Sequence, residues 1–185
     1  MVKRDLIRNL LILALVILAL IAMRLFIFTP YRVKSQDVNS YLAKDDLVVA
    51  SKKENIKRED LVLYEFEGKE YIGRVIAKEN DSVTYMDDVL YLNNKIQTEN
   101  YLASLKERYL ASPNNVGYFT HDFTLQTLTE TKENKLPTKT YLILNDNRQN
   151  NHDSRKFGLI PADKIEGVIT FRLSPLKKFG FLETK

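Results

Sequence analysis

Cysteine is absent from the 185 residues, which excludes disulfides, thiolate zinc sites and a cysteine nucleophile together. Histidine is scarce: His121 and His152 are the only two, so no histidine-based metal centre and no cofactor is expected. Six glycines and five prolines are too few for a collagen-like chain or a Pro-rich linker. The formal net charge is +4, but a basic face is lacking. Residues 1–28 hold Lys3, Arg4, Arg8 and Arg24 against Asp5, and the other 157 residues are near balance, with 24 basic and 23 acidic side chains. No Arg-rich stripe with interleaved aromatics follows, so a nucleic-acid partner is not expected.

What is present is a long apolar run near the start. Residues 10–23 read LLILALVILALIAM, Arg24 interrupts, and LFIF continues to Phe28. A helix of that length is roughly 28 Å long, about the thickness of a bilayer's hydrocarbon core. Arg24 lies near its far end, where a long side chain can snorkel, and Thr29-Pro30 is expected to end it. Lys3, Arg4 and Arg8 precede the run, which favours a cytoplasmic N-terminus and an extracytoplasmic remainder. A cleaved signal peptide is the competing reading, but its apolar region would be long and no clear small-x-small site follows. The expected organisation is an anchor over residues 1–29 and one outer domain over 30–185. With 44% hydrophobic and 28% charged residues, most of the chain can fold around a core.

From Tyr31 onward the pattern is mainly strand-like. Asp60–Phe66, Tyr71–Ile76, Ser82–Tyr85, Val89–Leu92, Thr140–Leu144 and Ile165–Phe171 are rich in β-formers, with Asn93-Asn94 reading as a tight turn. Asn100–Leu110 carries apolar residues at helical spacing, and Ser112-Pro113 ends it. Residues 129–139 are polar and read as an exposed connection, and 145–156 is a polar loop. The fold class expected is mostly β, with one or two short helices besides the anchor.

The loop Asn145-Asp-Asn-Arg-Gln-Asn-Asn-His-Asp-Ser-Arg-Lys-Phe-Gly158 resembles the box GDNR-x-NS-x-DSR-x-FG of bacterial type I signal peptidases. Asp146, Asn147, Arg148, Asn150, Asp153, Ser154, Arg155, Phe157 and Gly158 match; Asn145 replaces Gly and Asn151 replaces Ser. Tyr71-Ile-Gly-Arg-Val-Ile76 resembles YIKRVI, Leu90–Lys95 resembles LYINGK, and Lys57–Tyr64 resembles KRGDIVVF. The likeness runs through nearly the whole chain, anchor included. It implies a mostly-β, signal-peptidase-like outer domain lying close to the membrane. In it the loop residues Asp146, Asn147, Arg148, Asp153, Ser154 and Arg155 are structural.

Active members of that family use a Ser nucleophile in SMxPTL and the Lys of YIKRVI as its base. A serine hydroxyl needs a base to remove its proton, and a lysine serves only when burial keeps it neutral. Aligned on Leu42 and Asp45-Asp46, the nucleophile position is Asp37, and the base position is Gly73. Asn151 stands where the family's second hydroxyl meets the base. The expectation is therefore a chain that is not an enzyme, with no catalytic residue. Ser35, Asp37, Val38, Gly73, Arg74 and Asn151 would line a peptide-binding cleft. A pairing of Asp37 with Asp146 or Asp153 would mimic an aspartic dyad. Gly73 beside Asp37 would leave an anionic pocket for a cationic side chain, unless Asp37 is solvated or bonded to Ser35.

The Asp and Gly replacements are similar to those of signal-peptidase-like proteins encoded beside Gram-positive sortase pilus genes. That resemblance implies a role in sortase-dependent pilus polymerisation, as an assembly factor or chaperone, with the major pilin or a class C sortase as partner beside the lipid membrane. Two alternatives stay open: an active signal peptidase of unusual mechanism, and a structural membrane scaffold that recruits sortase.

Overall fold

A computed structural model describes residues 2–52, 55–129 and 133–184. The chain opens with α1 (Val2–Phe26). Within it Arg4–Ala22 is long and apolar enough to cross a membrane, with no part of it buried against the rest of the protein. The apolar run does not stay helical to Phe28. Strand β1 (Phe28–Arg32) begins there and pairs antiparallel with β2 (Leu47–Ser51), Phe28 opposite Ser51. Pro30 thus sits in a strand rather than after a helix. It is tolerated because β1 lies at the end of the sheet, where a missing N–H costs no ladder bond. The side chain of Arg24 lies outside the described residues.

The next strands are β3 (Leu61–Phe66), β4 (Lys69–Lys78), β5 (Val83–Met86), β6 (Val89–Leu92) and β7 (Lys95–Gln97). Three two-residue turns join them: Glu67-Gly68, Asp87-Asp88 and Asn93-Asn94, each with both residues at positive φ. That is the hairpin turn whose twist matches the strands, and it suits Gly, Asn and Asp. Then come α2 (Ala103–Ala111), β8 (Phe123–Thr124), α3 (Leu125–Thr129), β9 (Thr140–Leu144), α4 (Ser154–Phe157), β10 (Ile160–Pro161), β11 (Ile165–Ser174) and β12 (Gly180–Phe181). The larger sheet runs β1-β2-β11-β3-β4-β9-β10, with β12 on β11; the smaller runs β7-β6-β5-β8. All the pairings are antiparallel. The fold is mostly β, as expected.

β3 shows how the sequence builds this. Its first four residues are all buried, yet the side chains alternate between two faces. Leu61 and Leu63 join Tyr31, Val33, Leu42, Val48, Ala50, Ile72 and Ile169 in one core. Val62 and Tyr64 join Tyr71, Val75, Ile143, Ile160 and Val168 in another. Central strands covered on both faces lose the polar half of the alternation.

β4 continues past this sheet. A register shift in its pairing with β9, between Val75 and Ala77, precedes Ile76 and Ala77, which pack in a third core with Val83, Tyr85, Leu90, Leu92, Leu125 and Leu136. Leu136 corrects the reading of 129–139 as an exposed connection. It is only 2% exposed, and its own N–H and C=O are bonded to Asp81 and Asn80; residues 130–132 lie outside those described. Leu136→Ala should therefore cost about 2–5 kcal/mol, read as a lowered urea midpoint. An effect within experimental scatter would show that this segment does not belong to the core.

Candidate functional site: the edge of β4 beside Asp37

After β1 the chain turns at Ser35–Asp37, a single 3₁₀ turn, and brings the Asp37 side chain back under Tyr31. Asp37 is 4% exposed. Its Oδ2 accepts the Tyr31 hydroxyl at 2.7 Å and the Lys34 N–H at 3.1 Å; its Oδ1 accepts the Ile72 N–H of β4 at 3.2 Å. Burial pushes the Asp37 carboxyl above its ordinary value, while these three bonds and the Lys34 charge pull it back without cancelling the rise. The Tyr31 hydroxyl is raised too, by burial and then by its bond to Asp37. Lys34 lies with Nζ 5.3 Å from the centre of the Tyr31 ring and 3.5 Å from the Glu70 carbonyl.

Gly73 follows Ile72 on β4. A Cβ at this position would lie 2.5 Å from Ile143 Cγ2, 3.2 Å from the Leu144 carbonyl and 3.3 Å from Tyr64 Cε1. The open pocket expected beside Asp37 is therefore filled, by Ile143 and Tyr64. The Tyr64 hydroxyl is buried there with no hydrogen-bond partner among the described residues.

Arg74, the next residue, is fully buried and does not line a cleft, contrary to expectation. Its Nε and Nη2 grip Asp146 Oδ1 and Oδ2, each at 2.7 Å, and its Nη1 donates to the carbonyls of Glu59 and Thr184 at 2.8 and 2.6 Å. Its guanidinium packs over the rings of Tyr101 and Tyr41, at 4.1 and 5.4 Å from their centres. Burial opposes this charge, but Asp146 outweighs it and holds Arg74 above its ordinary value.

The 145–158 loop is polar but turned inward. Asn145, Asp146, Arg148, Asp153 and Ser154 are all buried. Asp153 accepts the Asn145 N–H and is forked by Arg155, whose other donors reach the carbonyls of Arg148 and Asn150. The Ser154 hydroxyl accepts the Ile143 N–H. Arg148 reaches the second sheet, donating to Glu99, Tyr85 and Thr120. Burial alone would raise the Glu99 carboxyl, but the Arg148 charge and the hydroxyls of Tyr101 and Tyr85 hold it below the usual range. Asn147 and Asn151 are exposed. Asn150 closes the circuit: its Nδ2 donates to the Gln36 carbonyl at 3.1 Å, one residue before Asp37.

Residues 5–174 match the family described as Signal peptidase, peptidase S26. The chain belongs to the signal peptidase family. It is 34% identical over 164 residues to Signal peptidase I of Bacillus caldolyticus, covering 86% of each chain. It is 31% identical over 186 residues to Signal peptidase IB of Staphylococcus aureus, covering 97% of this chain and 95% of the relative. Among solved structures, a signal peptidase I from Enterococcus faecalis superposes with a TM-score of 0.57 at 35% identity, over 64% of this chain and all of that one.

This membership corrects one expectation outright. The chain was expected to be a non-enzyme, because Asp37 and Gly73 stand at the dyad positions. Its named relatives are signal peptidases I and IB, an enzyme family, and they overturn that inference. Membership together with α1 makes the chain a single-pass membrane protein.

Of the expected cleft, the structure brings Asp37 to the β4 edge, with Val38 exposed at the lip and Ser35 exposed beside it. It buries Gly73 and Arg74, and leaves Asn151 exposed next to Asn150. No aspartic dyad forms, since Asp146 is held by Arg74 and Asp153 by Arg155. Among the described residues Asp37 is bonded to Tyr31, Lys34 and Ile72 and not to Ser35. Tyr31, Glu99 and the Ile72 N–H were not foreseen. A tyrosine within six residues of a buried carboxylate was the available signal for Tyr31. Among the described residues no His, Asp and Glu cluster could hold a metal ion.

Two outcomes follow. Gly73→Ala should destabilise by about 1–3 kcal/mol through overpacking, and the loss should shrink in an Ile143→Ala background, measured as a double-mutant cycle; additive losses would contradict the filled pocket. Because the folded Asp37 holds its proton more tightly than the unfolded chain, the stability it contributes falls as pH rises through and above 3.8. Asp37→Asn cannot ionise, so its melting temperature should gain on the parent's between about pH 4 and pH 7. Parallel pH profiles would contradict the raised carboxyl.

Proposed function

We propose that this membrane-anchored member of the signal peptidase family holds exported polypeptide in extended form along the β4 edge and assists sortase-dependent polymerisation of a major pilin. In this reading the N-terminus is cytoplasmic and the β domain extracytoplasmic. Lys3, Arg4 and Arg8 before the span support that orientation.

The observation that carries the reading is the Glu70–Ile72 stretch of β4. β9 pairs with β4 only from Arg74 to Lys78, so among the described residues no strand covers Glu70–Ile72 on that side. A bare strand edge with an exposed lip at Val38 suits strand addition, in which main-chain bonds supply affinity and side-chain pockets supply choice. The apolar rim next to α1, formed by Phe28, Val49, Phe171, Leu173 and Phe181, supports a domain resting on the bilayer. There, tethering raises the effective concentration of membrane-bound substrates. The pilin and the class C sortase enter as partners through the resemblance of the Asp37 and Gly73 replacements to those of pilus-locus proteins.

The experiment places the full-length protein in lipid vesicles with the major pilin and its sortase. Pilin polymer should form in its presence and lag without it. Polymerisation that ignores the protein, with no pilin retained on the vesicles, would end this reading. Family membership over residues 5–174 favours a second one, cleavage of exported preproteins. In the same vesicles, loss of a signal peptide from a preprotein, abolished by Asp37→Ala, would establish it.

A further inference from the structure

The β4 edge is bare of strand but not of hydrogen bonds. In an antiparallel ladder, successive residues point their N–H and C=O groups alternately toward and away from the partner. With its N–H on Asp37, Ile72 faces away from β3, and so does Glu70 two residues earlier. These are edge groups that a partly buried site cannot leave unpaired. Side chains meet both: Asp37 Oδ1 accepts the Ile72 N–H at 3.2 Å, and the Glu70 carbonyl accepts Lys34 Nζ at 3.5 Å, with the Tyr31 oxygen 3.4 Å away while its hydrogen goes to Asp37 Oδ2 at 2.7 Å. The C=O of one residue and the N–H two residues on are the pair that a single residue of a parallel strand engages. Asp37 supplies that residue's carbonyl, Lys34 supplies its N–H, and Tyr31 holds the carboxylate in place.

We infer that Asp37, with Tyr31 and Lys34, is a latch that closes the β4 edge as an internal stand-in for a bound strand, so that an extended exported segment gains the edge only by displacing the Asp37 carboxylate. The inference rests on the strand-addition reading above and adds its regulation. The latch is held shut locally: the 3₁₀ turn links the Asp37 N–H to the Lys34 carbonyl, and Asn150 pins the Gln36 carbonyl. It is also poised, because burial works against its charged form. A segment that enters meets the Ile72 N–H and Glu70 carbonyl with its own backbone, and lets the carboxylate swing out to water.

The test uses the full-length protein in lipid vesicles, with the purified exported major pilin as probe. Hydrogen exchange at the Ile72 amide is read beside the binding curve. Asp37→Ala should speed exchange at Ile72 and tighten pilin binding about tenfold, the scale of one charge-assisted hydrogen bond no longer in competition. Tyr31→Phe, which removes a hydroxyl and little else, should move both readouts the same way by less. It also decides the matter if Asp37→Ala fails to fold. Pilin binding that is measurable in the parent but unchanged or weaker in the folded variants would overturn the latch and leave recognition standing. Absence of binding in parent and variants alike, with Ile72 exchange accelerated, would overturn the recognition reading and the gate with it.

Discussion

The grip of Arg74 on Asp146 is where the parts of this domain meet. A guanidinium with no exposure is tolerable only when its charge is paired and its donors are used. Here the carboxylate takes one edge in a two-point fork, and two carbonyls take Nη1. Those partners come from distant stretches of chain: Glu59 before β3, Thr184 at the C-terminal tail and Asp146 in the box loop, with the rings of Tyr41 and Tyr101 packed against the guanidinium. Fixing one side chain on β4 therefore fixes the box loop against the sheet. The Arg148–Glu99 pair then ties the same loop to the second sheet, and Asn150 carries the constraint to Gln36. The orientation of Asp37 toward Ile72 is the last step in that chain of contacts.

Much of the fold was legible because its signals are local. Strand patterning marked β3, β4, β6 and β9, and Asn93-Asn94 announced its turn. Three features were hidden for a shared reason. β1 continues an apolar run that reads as membrane helix, so periodicity alone does not separate them. The 145–156 loop is visibly polar, but composition does not show that its charges neutralise one another under the surface. Leu136 is a single anchoring side chain in a polar stretch, which no window average detects.

At the site, the two positions that matter most were found by resemblance, but their surroundings were not. The resemblance places Asp37 and Gly73 near each other; it does not say that Ile143 fills the room a side chain at 73 would need. Nor does it say that the carboxylate turns inward to a backbone N–H. The step from missing dyad to missing enzyme was too long. The family matched over residues 5–174 is one of enzymes, as its relatives signal peptidase I and IB are.

In the proposed function, exported polypeptide lies along the β4 edge beside Asp37. A photo-crosslinking residue placed at Val38, on the lip, reports this directly in cells, with one at Ile96 on the far sheet as control. Both positions are exposed. Crosslinks from Val38 to exported protein, with few from Ile96, are the expected result. Equal labelling from the two sites, or none from Val38 while Ile96 reacts, would contradict the account and move the binding surface to the second sheet.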